Sequence, residues 1–267
     1  MVPLVLLATY MAGTVAGMAT FTFFMLMDLL FMHLSPRIVL KWYKKEDHSP
    51  ERVRHILEGL AKEAGIRCPK TVIFRSSLPI AFTVGRGRKH TVMVSCQALE
   101  LLDDTELQVL LLREVGHIVH RDVFPNTVIA MVAGFLMLFP KAALWFALLT
   151  GFGQEEDPAP KIIGFLGAGL IAPLASLFVN LGLSPSQVMA ADRYAAQHSS
   201  ADIAAKTLDR VQKFMQLQPY EDVSPGHVHL YTLDPLRITS MLDVHLSLFR
   251  FHPKMQHRTR SMGAVQS

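Results

Sequence analysis

The residues richest in chemistry lie in one run, Leu111-Leu112-Arg113-Glu114-Val115-Gly116-His117-Ile118-Val119-His120-Arg121-Asp122. In a helix of the form H-E-x-x-H, two histidines four apart share one face and hold a metal ion. The glutamate between them takes a proton from the metal-bound water. Glu114 and His117 keep that spacing, but the first histidine position holds Arg113. An isolated E-x-x-H is a weak signal. His117 and His120 are three apart, a spacing that metal-binding helices also use, and His227, His229, His245, His252 and His257 lie downstream. Nothing in their spacing sets a third ligand, so hydrogen-bonded or solvated histidines account for most of them. Neither a Ser-His-Asp set nor a phosphate-binding glycine loop is present. Cys68 and Cys96 make no disulfide framework and no CxxC pair; they read as small core residues.

These side chains need elements to position them. Asp103-Asp104-Thr105-Glu106 has the form of a capping box, with Glu106 three residues after Asp103, and it predicts a helix over Leu107 to Asp122. Ser49-Pro50-Glu51 opens an earlier helix, in which Val53, Ile56, Leu57, Leu60 and Ala61 recur at helical spacing and Gly65 ends the segment. Three β-rich runs follow, Thr71 to Phe74, Ile80 to Val84 and Thr91 to Ser95, with Gly85-Arg86-Gly87 as a turn. A small antiparallel meander is the economical arrangement. Ser184-Pro185-Ser186 starts a helix that passes Val188, Asp192 and Ala196.

Composition places this machinery at a membrane. Of 267 residues, 51% are hydrophobic and 18% charged, against roughly 25% charged in an average chain. The apolar excess is gathered into blocks. Met1 to Met27 carries no charge, Val123 to Phe152 carries only Lys141, and Ile162 to Ala191 carries none. The first block lacks the basic start and short core of a cleaved signal and predicts a retained anchor over 1–34. The other two, joined by an acidic turn, predict a transmembrane hairpin over 123–183. Arg37, Lys41, Lys44 and Lys45 follow the first span, so the positive-inside rule puts the polar regions 35–122 and 184–267 in the cytoplasm. The net charge of +4 is spread along the polar segments and gives no sign of nucleic-acid binding.

Over roughly residues 48–262 the chain resembles the HtpX-type integral-membrane zinc metallopeptidases. Leu78-Pro79-Ile80-Ala81-Phe82-Thr83-Val84-Gly85 looks like that family's P-N-A-F-A-x-G edge strand, and Gly116 to Asp122 is close to its G-H-I-x-H-R-D. Ala191-Asp192-Arg193-Tyr194-Ala195-Ala196 is similar to its E-x-x-x-D segment. Phe251-His252-Pro253 with Arg258 looks like its T-H-P-x-x-x-x-R signature. The resemblance implies a mainly α fold with a small antiparallel sheet, a membrane-anchored metallopeptidase-like domain split by the hairpin, and a bacterial inner-membrane-like location. It implies zinc as the cofactor, with Glu114, His252 and Arg258 as catalytic positions. It also places the zinc ligands at Arg113, His117 and Val188, of which only His117 is a ligand type. A guanidinium offers no lone pair, and catalytic zinc needs three protein ligands.

Two functions follow as expectations. One is a non-catalytic relative that binds peptide or membrane-protein partners through a retained cleft; the other is an active endopeptidase for membrane-protein quality control with a rebuilt metal site. A structural subunit with a filled cleft is a third. In the non-catalytic case Arg113 is expected beside Asp192 and Glu114, a fixed positive charge pairing both carboxylates, with Val188 closing the vacated ligand position by apolar volume.

Overall fold

The computed structural model describes residues 2–46, 51–149, 184–217, 230–231, 253 and 255–263. Helix α1, Val2–Lys41, is broken at Gly13, where φ is +85°. From Gly13 to Lys41 it is long and apolar enough to cross a membrane, and none of its most apolar window is buried. Two of its hydroxyls are satisfied within the helix: those of Thr20 and Thr22 donate to the carbonyls of Ala16 and Met18, four residues back. Pro36 has no N–H for the Met32 carbonyl, and the buried Ser35 hydroxyl donates to it instead at 3.1 Å.

Helix α2, Glu51–Glu63, buries Val53, Leu57, Leu60 and Ala61, and Gly65 at φ +63° turns the chain out of it. The strands are β1 Lys70–Phe74, β2 Ala81–Arg86 and β3 Lys89–Ser95. β2 and β3 form the expected antiparallel hairpin, turning at Gly87 (φ +60°), the last residue of the predicted turn, while Gly85 and Arg86 extend the ladder opposite His90 and Lys89. β1 corrects the meander. It pairs with β3 and runs parallel to it, Lys70 opposite Thr91 through Phe74 opposite Ser95, so the sheet is mixed with order β1-β3-β2. The connection 75–80 explains why: it crosses the end of β3, burying Leu78 and Ile80, and Ser95 ties it down. Ile80 N–H donates to Ser95 Oγ, and Ser95 N–H to Ile80 O, both at 2.9 Å.

Helices α3, Cys96–Leu101, and α4, Asp104–His120, follow. The capping box forms as predicted, with Asp103 accepting from Glu106 N–H while Glu106 accepts from Asp103 N–H. Helix α5, Val123–Leu149, covers the segment predicted as the first arm of a hairpin over 123–183; the predicted turn and return arm lie outside the described residues. Helices α6, Pro185–His198, capped by Ser184, α7, Ala201–Leu217, and α8, Met255–Gly263, complete the described fold. Cys68 is exposed rather than in the core, while Cys96 is half-buried. One buried cluster takes in residues of all three strands, α2 and α4, among them Phe74, Phe82, Met93, Leu57, Leu107 and Leu111. The most extensive helix contact is α4 on α6. Gly116 permits it: a Cβ there would stand 3.1 Å from the Tyr194 side chain.

Candidate functional site

The α4–α6 contact carries the polar centre. Arg113 and His117 lie one turn apart on α4 and face Asp192 and Val188, one turn apart on α6. Glu114, next along α4, points toward β2. Arg113, Glu114, Asp192 and Arg258 are all no more than 2% exposed. Two guanidiniums converge on Asp192. Arg113 Nε donates to its Oδ1 at 2.6 Å, and from α8 Arg258 donates through Nε to Oδ2 at 2.6 Å and through Nη2 to Oδ1 at 2.8 Å. Glu114 accepts from the Thr83 hydroxyl at 2.8 Å, while Arg113 Nη1 stands 4.0 Å from its other oxygen.

Burial raises the pKa of a carboxyl group and neighbouring cations lower it. At Asp192 the two arginines overcome burial and hold it ionised, well below the usual carboxylate range. At Glu114 burial prevails over His117, Arg113 and Thr83, and the pKa is raised. Burial alone would lower His117, but its 2.9 Å bond to Asp122, with the charges of Asp122 and Glu114, raises it. That bond depends on the backbone. Arg121 ends α4 in the left-handed conformation at φ +61°, which folds Asp122 back onto the last turn.

Thr83, Arg113, Glu114, His117 and Gln187, with Leu230 and Tyr231, line a cavity of about 20 Å³. That is room for roughly one water molecule. Among the described residues, Arg113 Nη1 and Gln187 Oε1 find no hydrogen-bond partner. The Tyr231 ring packs on Phe82 at 5.9 Å, and its hydroxyl meets that of Tyr43 at 3.1 Å.

Of the residues singled out from the sequence, the fold brings together Arg113, Glu114, His117, Val188, Asp192 and Arg258; His252 lies outside the described residues. Arg258, one of the catalytic positions that the resemblance implies, turns its guanidinium to Asp192. At the positions that the resemblance assigns to metal, His117 is oriented by a carboxylate as ligating histidines are, whereas Arg113 and Val188 present no lone pair. No group of three His, Cys, Asp or Glu side chains able to hold a metal occurs among the described residues. The sequence reading gave no role to Thr83, Asp122, Gln187 or Tyr231, although Thr83 and Asp122 stand within the quoted segments. A lone hydroxyl inside an apolar strand was the available signal for Thr83. None existed for Tyr231.

Comparison with known proteins agrees with this geometry. Residues 47–265 match the family described as Peptidase family M48. The chain is 33% identical to "Protease HtpX homolog" of Thermococcus sibiricus, over 96% of this chain and 89% of that protein. Its counterpart in Thermococcus kodakarensis is 30% identical over 92% and 85%, and that of Syntrophobacter fumaroxidans 27% over 97% and 94%. With the match running through the α4 motif, the Asp192 helix and the Arg258 helix alike, the chain belongs to peptidase family M48, among its HtpX-type proteins.

Proposed function

We propose that this protein is a membrane-anchored M48 member that does not cut peptide bonds through a zinc-bound water, and that it instead holds peptide or membrane-protein partners on the inherited fold. The observation that carries this reading is the direction of Arg113. Its guanidinium occupies the position of the first metal-binding histidine, lines the cavity and is bonded to Asp192. A divalent ion in that cavity would stand beside a fixed positive charge and find His117 as its only nitrogen donor among the described lining residues. The donor set does not fit zinc. Without a metal, water keeps a pKa near 15.7, and Glu114 is far too weak a base to activate it.

Partner binding is supported by the place of β2 as the outer strand of the sheet, although an added strand would first have to displace α5, whose Thr127 hydroxyl accepts from Gly85 N–H at 3.2 Å. The β2 residues Ala81 to Gly85 are buried, and Leu230 and Tyr231 line the same cavity as Thr83. In the membrane, α1 serves as the anchor and the folded part faces the cytoplasm, the side to which Arg37, Lys41, Lys44 and Lys45 belong.

The test is metal content and cleavage of a casein-like substrate by the purified full chain, compared with Arg113→His, Val188→Glu and the double variant. The native chain should be zinc-free and inactive, and only the double variant should bind zinc. Stoichiometric zinc with cleavage in the native chain overturns the proposal.

A further inference from the structure

Helix α1 has two faces. One packs on the protein, burying Ser35 and Val39 and setting Phe31 and the following Trp42 on Phe135 of α5, at ring distances of 6.4 and 5.4 Å. The other bears Leu26, Leu30, His33, Arg37 and Lys41, spaced three or four apart, so they form one stripe. All five are exposed, Leu26 by 58% and Leu30 by 53%. The stripe changes from apolar to basic along its length. From Gly13 to Leu34 the helix rises roughly 33 Å, close to the roughly 30 Å of a hydrocarbon layer. Arg37 and Lys41 then fall in the headgroup zone, on the side turned away from the protein.

The chain keeps the next two charges nearby. Lys45 pairs with Phe74 beyond the sheet edge, and the Lys44 carbonyl accepts from Arg75 N–H at 3.0 Å, so both lysines are held by the sheet with their side chains exposed. The adjacent acid, Glu46, is bonded at both oxygens to Arg75, each at 2.9 Å, and neutralises that residue rather than the four basic ones.

We infer that Arg37, Lys41, Lys44 and Lys45 form a collar that binds the headgroups of anionic phospholipids and thereby seats the folded domain at a set height on the membrane. The inference rests on the proposed anchoring of α1. It goes beyond orientation, because it requires these side chains to contact phosphate in the finished protein. Trp42 lies within the collar, and the sequence contains only one other tryptophan, Trp145.

The full chain carrying Trp145→Phe is reconstituted in mixed phosphatidylcholine and phosphatidylglycerol vesicles, with bromine on one lipid or the other, and Trp42 fluorescence is measured. Brominated phosphatidylglycerol should quench it more strongly at equal mole fraction, and high salt should erase the difference. One basic residue at an anionic surface is worth about a fivefold preference, so changing all four to Gln should abolish the selectivity while leaving quenching by both lipids. Equal quenching by the two lipids in the unchanged collar overturns the inference and leaves the anchor standing. Quenching by neither overturns both. A preference that survives the four substitutions also sinks the collar, whereas Arg54→Gln with Lys62→Gln on α2 should change nothing.

Discussion

Asp192 and Glu114 are equally buried and share one arginine, yet their surroundings drive them in opposite directions. Asp192 receives three hydrogen bonds from two guanidiniums and stays ionised. Glu114 has a hydroxyl and a cation 4.0 Å away, and its proton affinity rises. In a low-dielectric interior a charge is kept by direct partners. The comparison shows which carboxylate the fold is built around. It is the one that ties α4, α6 and α8 together.

Several substitutions can break or sharpen this contrast. Asp192→Ala would remove three hydrogen bonds from two buried guanidiniums and should cost about 3–5 kcal/mol, read as a fall in the melting transition of the detergent-solubilised chain. A loss under about 1 kcal/mol would mean that Asp192 is not the hub, since a broken buried pair costs more. Arg258→Met should be worse than Arg113→Met, because two bonds to Asp192 are lost instead of one, each charged bond being worth about 1.5–3 kcal/mol. The double variant should be non-additive by roughly 0.5–3 kcal/mol, as expected for residues sharing a partner. An additive cycle would separate the two arginines.

Glu114→Gln removes a poorly paired charge while keeping an acceptor for Thr83, and should be neutral or stabilising by about 1 kcal/mol at pH 7. The pH dependence gives the same contrast with its sign. The depressed pKa of Asp192 means that its contribution is complete above the unfolded value near 3.8 and is lost as pH falls toward the folded value. The raised pKa of Glu114 works oppositely: stability is greater below its unfolded value near 4.5 and declines as pH rises toward the folded value. Melting curves across this range should show the second decline vanish in Glu114→Gln while the acid loss remains. The smallest effect belongs to Arg121→Gly, which relieves a left-handed residue and should gain about 0.5–1 kcal/mol after the entropy of glycine is counted. A loss of stability there would show that the Arg121 side chain has a role of its own.

Local features of the site were legible in the sequence. The capping box, the face shared by Arg113 and His117, and the Ser184 start of the Asp192 helix all depend on groups within four residues of one another. Arg113 beside Asp192 could be anticipated because a buried carboxylate needs a counter-charge. Its second partner, Arg258, was assigned elsewhere by analogy, since 66 residues separate it from Asp192 and no periodicity links them. The sheet shows the same limit. Strand positions were within two residues, but alternation reports a strand's faces and not its neighbour, so β1 was placed in a meander.

The sequence by itself determined where helices begin, which segments are apolar enough for a bilayer, and that only one of the three residues at the expected metal positions can donate an electron pair. Those properties reside in single side chains and their near neighbours. Only the tertiary structure decided that β3 is central, that Tyr231 lines the cavity and that Asp192 takes both arginines. Each of these is a competition for proximity between groups far apart in the chain, and it is settled when the core packs.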